Sequence, residues 1–360
     1  MHKTPFIRLA KREDISRSKA WVIRLTAFLL ALLIGFVIYA AVGTNPAEAF
    51  KYIFLSPFKS KIGRRQILRN ITTLLGTALA LAPCFKMRFW NIGAEGQITV
   101  GAMGAAFFAL KFADKLPSPV LLLIMAFSAM VCGAFWAGIP AFFKARWNTN
   151  ETLFTLMLNY IAIGIVAWLQ GGPWEGVPGS QIIPMFSEKA LLPKLFGVHI
   201  GWIIVTVLVF LMYIYLKYTK HGYEIAVLGE SENTARYAGM NVGKITLRTI
   251  MLSGAICGLV GYFLASGANG TLNSAIAGGI GFTAITVAWL SQLNPFAMVA
   301  VSLLIVVLEK GAGSVYTALG VPSTASQVIT GIILFCMLGC EFFINYRLIF
   351  RNRKEAANEL

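Results

Sequence analysis

The amino-acid sequence predicts an all-α integral membrane protein with about ten transmembrane helices, some of them short or broken. The first observation is composition, since 57% of the 360 residues are hydrophobic and only 13% are charged. Soluble domains carry about 25% charged residues, and half that share cannot cover the surface of a soluble fold of this size. The second observation is a set of charge-free windows, which include Leu25–Ala47, Leu116–Phe143 and Thr249–Leu308. Because a helix crosses a bilayer with about 20 apolar residues, these windows exclude a soluble enzyme.

Two breaks divide the longest window into separate crossings. Gly267–Gly281 is rich in Gly, Asn and Ser, which is typical of a turn. Asn294-Pro295 is the second break, because proline disfavours helix in the residue before it. An even number of spans places both chain ends on the same side of the membrane. The ten predicted spans are residues 25–42, 70–85, 96–112, 119–143, 152–171, 200–218, 247–266, 282–293, 296–309 and 326–346.

The net charge of +16 fits the excess of Lys and Arg that membrane proteins carry on their cytoplasmic side. With cytoplasmic ends, 20 basic residues fall inside and 11 outside, although the cluster at residues 51–69 runs against this rule. The predicted organisation is a transmembrane domain at 25–346 between cytoplasmic tails at 1–24 and 347–360. We expect the positive charge to meet membrane lipids rather than nucleic acid.

The sequence offers few residues placed for catalysis or metal binding. The five cysteines lie in apolar segments without a Cys-x-x-Cys pattern, which indicates small buried hydrophobes. The three histidines lie outside the predicted spans. Gly239–Ile245 approaches an ATP-binding Walker A pattern, but it has three residues between its glycines where four are needed. We therefore expect no enzyme activity and no metal or cofactor bound by this chain.

The segment Asn91–Gln97, with the sequence NIGAEGQ, lies between two short apolar runs. Its Glu95 is an ionisable group beside a membrane segment, where a charge is costly unless it is paired or hydrated. Gly93 and Gly96 let the backbone bend or approach a neighbour closely. Two interpretations stay open, a bent or re-entrant element that lines a polar path and an ordinary loop or helix cap.

Other polar residues on short or broken spans are candidates for a solute path. Thr155 and Asn159, for example, lie one turn apart on one face of a predicted helix. The alternative for each of them is an interhelical hydrogen bond, worth about 1 kcal/mol. The candidate pathway residues are Asn91, Glu95, Gln97, Thr155, Asn159, Thr283, Thr286 and Asn294.

Residues 217–246 form a short polar connection on the predicted cytoplasmic side. Residues 232–237 favour a helix, and Ser231 is placed to cap its start. A rigid helix lying across the membrane face would fit a groove on a partner and move with it, whereas the alternative is a solvated loop. The candidate coupling residues are Gly229, Glu230, Ser231, Glu232, Ala235, Arg236, Tyr237 and Gly239.

Several segments in this order resemble the permease subunits of bacterial ABC importers. The resemblance is to the branched-chain amino acid, ribose and nucleoside superfamily, closest to its nucleoside or simple-sugar branch, and it spans about residues 40–345. The sequence departs from the family pattern at Gly229–Glu232, where a Gly-x-Asn-Pro stretch is usual. The matching segments are Asn91–Gln97 with Gly101, Asn150-Glu151 with Thr155–Tyr160, Gly229–Met240, Ser253-Gly254 with Gly258 and Gly261, and Gly281–Ile285 with Asn294-Pro295.

The resemblance implies a type II importer-like permease that works by alternating access as a multi-pass protein of the bacterial inner membrane. It implies two cytoplasmic ABC ATPase subunits that hold ATP and Mg²⁺, and a second permease subunit, as a heterodimer in preference to a homodimer. An extracytoplasmic substrate-binding protein would deliver a nucleoside, with a simple sugar such as ribose or galactose as the alternative.

A stand-alone secondary transporter or channel is the remaining alternative. Such a protein should carry paired charges within its spans. Glu309 and Lys310 lie at a predicted span end, and Glu341 lies within the last span, without a convincing partner for any of them. The residues therefore favour the importer over an ion-driven transporter.

Overall fold

The structure is a computed structural model that describes residues 7–11 and 16–350. Parts of the predicted tails, residues 1–6, 12–15 and 351–360, lie outside the residues that the structure describes. The helices are α1 (Arg17–Ala41), α2 (Pro46–Lys59), α3 (Lys61–Lys86), α4 (Ala94–Phe112), α5 (Ser118–Trp147), α6 (Glu151–Gln170), α7 (Gly201–Tyr218), α8 (Lys220–Glu230), α9 (Glu232–Tyr237), α10 (Val242–Tyr262), α11 (Ile280–Leu290), α12 (Pro295–Leu319) and α13 (Ser323–Asn345).

The helical prediction is confirmed, and seven of the described helical segments are long and apolar enough to cross a membrane. A π-helix, Phe263–Asn269, continues α10, and the shorter apolar helix α11 follows a turn region. The seven segments are Val22–Ala41, Lys61–Lys86, Ser118–Trp147, Glu151–Gln170, Gly201–Tyr218, Val242–Asn269 and Pro295–Leu319.

Four short strands correct the all-α prediction. β1 (Ile7–Lys11) pairs antiparallel with β4 (Tyr346–Phe350), and β2 (Lys194–Leu195) forms a small hairpin with β3 (Val198–His199). The pairing of β1 with β4 brings the two described ends of the chain together. It was not visible in the sequence because it joins residues more than 300 positions apart, a separation that local periodicity does not report.

The chain divides into two compact units, Met1–Lys59 with Val307–Leu360 and Ser60–Val306. In the first unit α1 packs on α13, and Gly311 of α12 approaches the backbone of Ile53 in α2 so closely that a side chain would overlap it. The second unit is centred on α10, which packs against α3, α4 and α5. The functional segments described below belong to this second unit.

Glycines make the close helix contacts of the second unit. Gly254 and Gly258 of α10 lie against the backbone of Gly133 in α5, and Gly258 also faces Gly101 of α4. Gly261 lies against the backbone of α4. A Cβ atom at any of these positions would overlap main-chain atoms, so only glycine permits this spacing.

The predicted end of the span at residues 296–309 is wrong, because α12 continues for ten further residues to Leu319. The adjacent charges of Glu309 and Lys310 indicated an end, but they lie inside one continuous helix. The helix ends instead where Gly320 takes a φ of +66°, two residues before Pro322.

Residues 43–69, predicted as a connection, are largely helical. They contain α2 and the first turns of α3, which begins nine residues before the predicted span. The hydroxyl of Ser60 accepts a hydrogen bond from the Gly63 amide at 2.8 Å and caps α3. Much of the basic cluster therefore extends this helix beyond its apolar part.

Candidate functional site

A buried network of polar side chains surrounds the start of α4. Five of the eight predicted pathway residues are buried and make hydrogen bonds, namely Asn91, Glu95, Gln97, Thr155 and Asn159. A short turn and loop connect α3 to α4, with Arg88 at a φ of +60°, and Gly93 is the residue that precedes the first turn of α4. The NIGAEGQ segment is thus a loop followed by a helix start.

Asn91 holds this loop to the first turn of α4. Its Oδ1 accepts hydrogen bonds from the Gly93 amide and from Nε2 of Gln97, both at 3.0 Å. Its Nδ2 lies 3.4 Å from Oε1 of Gln97 and 3.4 Å from the hydroxyl of Ser253 in α10. A single amide therefore links the loop, α4 and α10, and Ser253 is a member of the network that the sequence did not single out as a site residue.

Helix α6 contacts the same loop through two side chains one turn apart. The hydroxyl of Thr155 accepts a hydrogen bond from the Ile92 amide at 3.2 Å. Asn159 accepts from the Gly96 amide at 2.8 Å and donates to the Ile92 carbonyl at 2.9 Å. The predicted shared face of Thr155 and Asn159 is confirmed, and it satisfies backbone groups at the start of α4.

The carboxylate of Glu95 is buried against the start of α11. Oε1 accepts a hydrogen bond from the Gly279 amide at 2.6 Å, and Oε2 accepts one from the Gly281 amide at 2.8 Å. Gly279 has a φ of +83° and precedes the first residue of α11. A negative charge is favoured there, because the first N–H groups of a helix are unpaired and its dipole is positive at that end. Glu95 therefore caps a helix that is distant in the sequence.

The remaining three pathway candidates lie outside this network. Thr283 is half-buried in α11 and donates its hydroxyl to the Gly279 carbonyl at 3.2 Å, while Thr286 is half-buried further along the same helix. Asn294 is exposed and accepts from the Phe296 amide at 3.0 Å, at the start of α12. A role in lining a path stays a prediction for all eight residues.

The predicted cytoplasmic segment folds as two short helices, α8 and α9. Ser231 separates them, and its hydroxyl accepts from the Thr234 amide at 3.3 Å, so the predicted cap and the predicted helix at 232–237 are both confirmed. Ala235 is fully buried in an apolar cluster that includes Met87 and Ile250, whereas Tyr237 is 93% exposed. Helix α9 is thus anchored on one side and open on the other.

The end of α9 is fixed by a glycine turn. Gly239 takes a φ of +74°, its amide donates to the Arg236 carbonyl, and the Met240 amide donates to the Ala235 carbonyl, both at 3.0 Å. This pair of bonds is the Schellman arrangement that ends many helices. Of the other coupling candidates, Gly229 is buried against the backbone of Lys86, whereas Glu230 is exposed. The exposed Glu232 pairs with Arg236 at 2.6 Å.

A cleft of about 710 Å³ lies beside α9. It is bounded by the α3–α4 loop, the end of α5 and the start of α10, and an ion pair of 2.9 Å between Lys144 and Glu151 lies on its wall. Arg88 and Arg146 are exposed there, so basic groups outnumber unpaired acidic ones. The cleft and the exposed side of α9 form one polar surface, which we call the α9 surface.

His199 is a buried histidine that the sequence did not single out. It lies in β3, is 1% exposed, and neither ring nitrogen has a hydrogen-bond partner among the described residues. Burial and the positive charge of Arg69 lower the pKa of His199 to about 4. The ring packs near Phe263 of the π-helix, 5.9 Å between centroids. Within the described residues, no group of three His, Cys, Asp or Glu side chains is arranged to hold a metal ion.

Comparison with known proteins identifies relatives over nearly the whole chain. Residues 64–338 match the family model described as branched-chain amino acid transport system / permease component. The chain is 32% identical to the glucose ABC transporter permease of Haloferax volcanii, over 95% of this chain and 93% of that protein. It is also similar to two nucleoside ABC transporter permeases of Lactococcus lactis. One is 27% identical over 92% of this chain and 94% of its own length, and the other 25% identical over 69% and 83%.

Proposed function

Because this chain belongs to the family of branched-chain amino acid transport system permease components, we propose that it is the membrane-spanning subunit of an ATP-driven importer for a nucleoside. The observation that carries this proposal is the similarity, over almost all of its length, to permeases of sugar and nucleoside ABC transporters. The proposed location is the bacterial inner membrane, where alternating access of the spans to the two sides would move the solute.

The choice of solute lies between two classes. A nucleoside is supported by the two nucleoside permeases of Lactococcus lactis, and by the order of the sequence motifs. A simple sugar is the second candidate, supported by the glucose permease of Haloferax volcanii, which has the higher identity. Both classes are neutral, ring-shaped and rich in hydroxyl groups, so one pathway chemistry would serve either.

The α9 surface is the proposed docking place of the ATPase. Helix α9 is short, capped at both ends and anchored by the buried Ala235, so it would move as one body with whatever binds it. Its exposed Tyr237 and the ion pair of Glu232 with Arg236 offer an apolar ring and fixed charges to a groove on the partner. ATP and Mg²⁺ would be held by that partner.

A second permease subunit and an extracytoplasmic binding protein complete the proposed assembly. Two different nucleoside permeases of one organism, Lactococcus lactis, are both similar to this chain, which supports a heterodimer of related permeases. A stand-alone secondary transporter is the weaker alternative, because the relatives of this chain named above are ABC transporter permeases.

The buried network around Glu95 has a proposed mechanical role in this cycle. It joins α4 to α6 and to the start of α11, and the loop before α4 to α6 and α10, through hydrogen bonds of 2.6 to 3.4 Å. Buried polar groups are costly when they lose their partners. We therefore expect these four elements to move together, with alternating access arising elsewhere in the assembly.

The test is uptake by the complete transporter, reconstituted in proteoliposomes with its ATPase, second permease and binding protein. We expect uptake of [¹⁴C]uridine that requires ATP and continues when ionophores collapse ion gradients. Uptake of [¹⁴C]glucose instead would assign the sugar class. Uptake that is driven by an ion gradient without ATP would contradict the proposal of an ATP-driven importer. The matched control is a transporter whose ATPase binds ATP but does not hydrolyse it.

A further inference from the structure

Helix α12 carries an acidic residue at membrane depth. Glu309 is the fifteenth of the 25 residues of α12, which places it about 21 Å along a helix about 37 Å long. α12 has the length and hydropathy of a membrane span. Glu309 has an exposed side chain and makes no hydrogen bond or ion pair with any residue that the structure describes. Lys310 is its neighbour along the chain.

Lipid is a poor environment for this side chain. A charged residue near the bilayer centre is costly, and such residues in membrane proteins face other subunits or water-filled cavities. The opposite side of this half of α12 is already occupied, because Gly311 lies against the backbone of Ile53, and Val315 is buried. The open side with Glu309 therefore requires a polar occupant in the assembled membrane protein.

The residues that follow Glu309 on the same face suit a ring-shaped solute. Gly313 and Tyr316 lie four and seven positions further, which places all three side by side along the helix. A Cβ atom at Gly313 would have no neighbour within 4 Å, so the helix surface is open at the position between Glu309 and Tyr316. Tyr316 is 55% exposed. The row is a charged acceptor, a gap and an aromatic ring, over about 10 Å.

We propose that this row, which we call the α12 row, contacts the solute as it passes through the membrane. The Glu309 carboxylate accepts hydrogen bonds from two adjacent hydroxyl groups of the solute, and the ring of Tyr316 packs against the face of its ring. Charged acceptors make the stronger hydrogen bonds, and aromatic rings supply apolar area with a polar tip. This inference rests on the proposed function, since it assigns to the transported solute a ring with neighbouring hydroxyl groups.

The first test asks whether the α12 row faces water. In the complete transporter, Glu309→Cys and Tyr316→Cys are treated with a membrane-impermeant methanethiosulfonate reagent, with Leu303→Cys as the matched apolar control on α12, where Leu303 is 40% exposed. Wild-type protein, with five free cysteines, gives the background. We expect labelling at 309 and 316 but not at 303. Absence of labelling at 309, with and without ATP, would overturn the proposal, because that face would then meet lipid or the second permease.

The second test asks what the row recognises. For Glu309→Gln we expect the KM for [¹⁴C]uridine uptake to rise about tenfold, the effect of losing one hydrogen bond to a charged group. Uptake of 2′,3′-dideoxyuridine, which lacks both hydroxyl groups, should change by less than about twofold on the same reasoning. An equal change for both solutes would overturn the recognition role, since a merely structural defect does not distinguish them. Lys310→Gln, which removes the neighbouring charge, is the control.

Failure of this inference and failure of the proposed function have different signatures. If the wild-type transporter takes up glucose rather than uridine, the same comparison is made with glucose and a deoxyglucose. If it takes up neither, the proposed solute class is wrong, and labelling at position 309 still decides whether the α12 row faces the path. If the wild type takes up either solute but position 309 is not labelled, the proposed function stands and the α12 row is excluded.

Discussion

Glu95 and Gly281 are joined by a hydrogen bond of 2.8 Å, from the backbone amide of Gly281 to the carboxylate of Glu95, across 186 residues of sequence. The bond connects the first turn of α4 to the first turn of α11. A Cβ atom on Gly281 would overlap the Glu95 amide, so the approach depends on glycine at that position. This contact gives the acidic residue of the NIGAEGQ segment a definite role in holding two helices together.

Replacement of Glu95 by Gln is expected to lower the stability of the second unit. An amide group keeps one acceptor oxygen but turns an NH₂ donor toward one of the two backbone amides that the carboxylate satisfies. We expect a loss of about 1–3 kcal/mol in the free energy of unfolding. Thermal unfolding of the purified complex in detergent measures it, with the exposed Glu230→Gln as control. Equal transition temperatures for wild type and Glu95→Gln would contradict this role.

Replacement of Ala235 by Leu is expected to uncouple ATP hydrolysis from uptake. The Ala235 methyl group is fully buried beneath α9, and three further carbon atoms would push the helix away from its apolar cluster. ATP hydrolysis and solute uptake are measured together in proteoliposomes, and we expect hydrolysis to continue while uptake falls. Ala47→Leu, the same change at an exposed position of α2 outside the α9 surface, is the matched control. Normal uptake by an assembled Ala235→Leu transporter would show that the position of α9 does not matter for coupling.

Replacement of Gly258 by Ala is expected to disrupt the packing of α10. The added methyl group would overlap the carbonyl of Ala129 in α5, and the opposing helices leave no alternative space. We expect a destabilisation of about 1–3 kcal/mol, as for overpacked cores. Gly164→Ala is the control, because nothing lies within 4 Å of a Cβ atom at that position of α6 and alanine favours helix. The prediction fails if the two variants unfold at the same temperature.

Acidification is expected to destabilise the segment around His199. The pKa of this histidine is lowered from 6.5 to about 4, so the unfolded chain binds a proton more readily than the folded one between these values. The stabilisation is therefore complete above about pH 6.5 and is lost as the pH falls toward 4. Unfolding temperatures measured from pH 7 to pH 5 should fall less for His199→Phe than for wild type. Parallel pH profiles of the two proteins would exclude His199 as the source.

Some site features followed from sequence pattern because they depend on neighbouring residues. The cap at Ser231, the helix at 232–237 and the shared face of Thr155 and Asn159 are local in this sense, and all are confirmed. The close packing at Gly258 was also predictable, because small residues at a spacing of four permit it. Which helix fills the resulting groove was not predictable.

Other features depended on contacts that no local pattern reports. Nothing near His199 in the sequence indicates that the π-helix will bury its ring. The end of α12 was misjudged because charged residues usually mark the end of a span, whereas Glu309 lies within one. The pairing of β1 with β4 likewise depends on where α1 and α13 bring the chain ends.

The sequence by itself determined that this protein resides in a membrane, where its apolar segments lie, and which polar segments interrupt them. These properties follow from the transfer of individual side chains between water and lipid, which each segment expresses alone. Only the tertiary structure decided that Glu95 caps α11 and that Glu309 faces outward at membrane depth. Long-range packing sets the partners of buried polar groups. It therefore also decides the roles of charged residues such as Glu95 and Glu309, whose scarcity in the sequence first indicated a membrane protein.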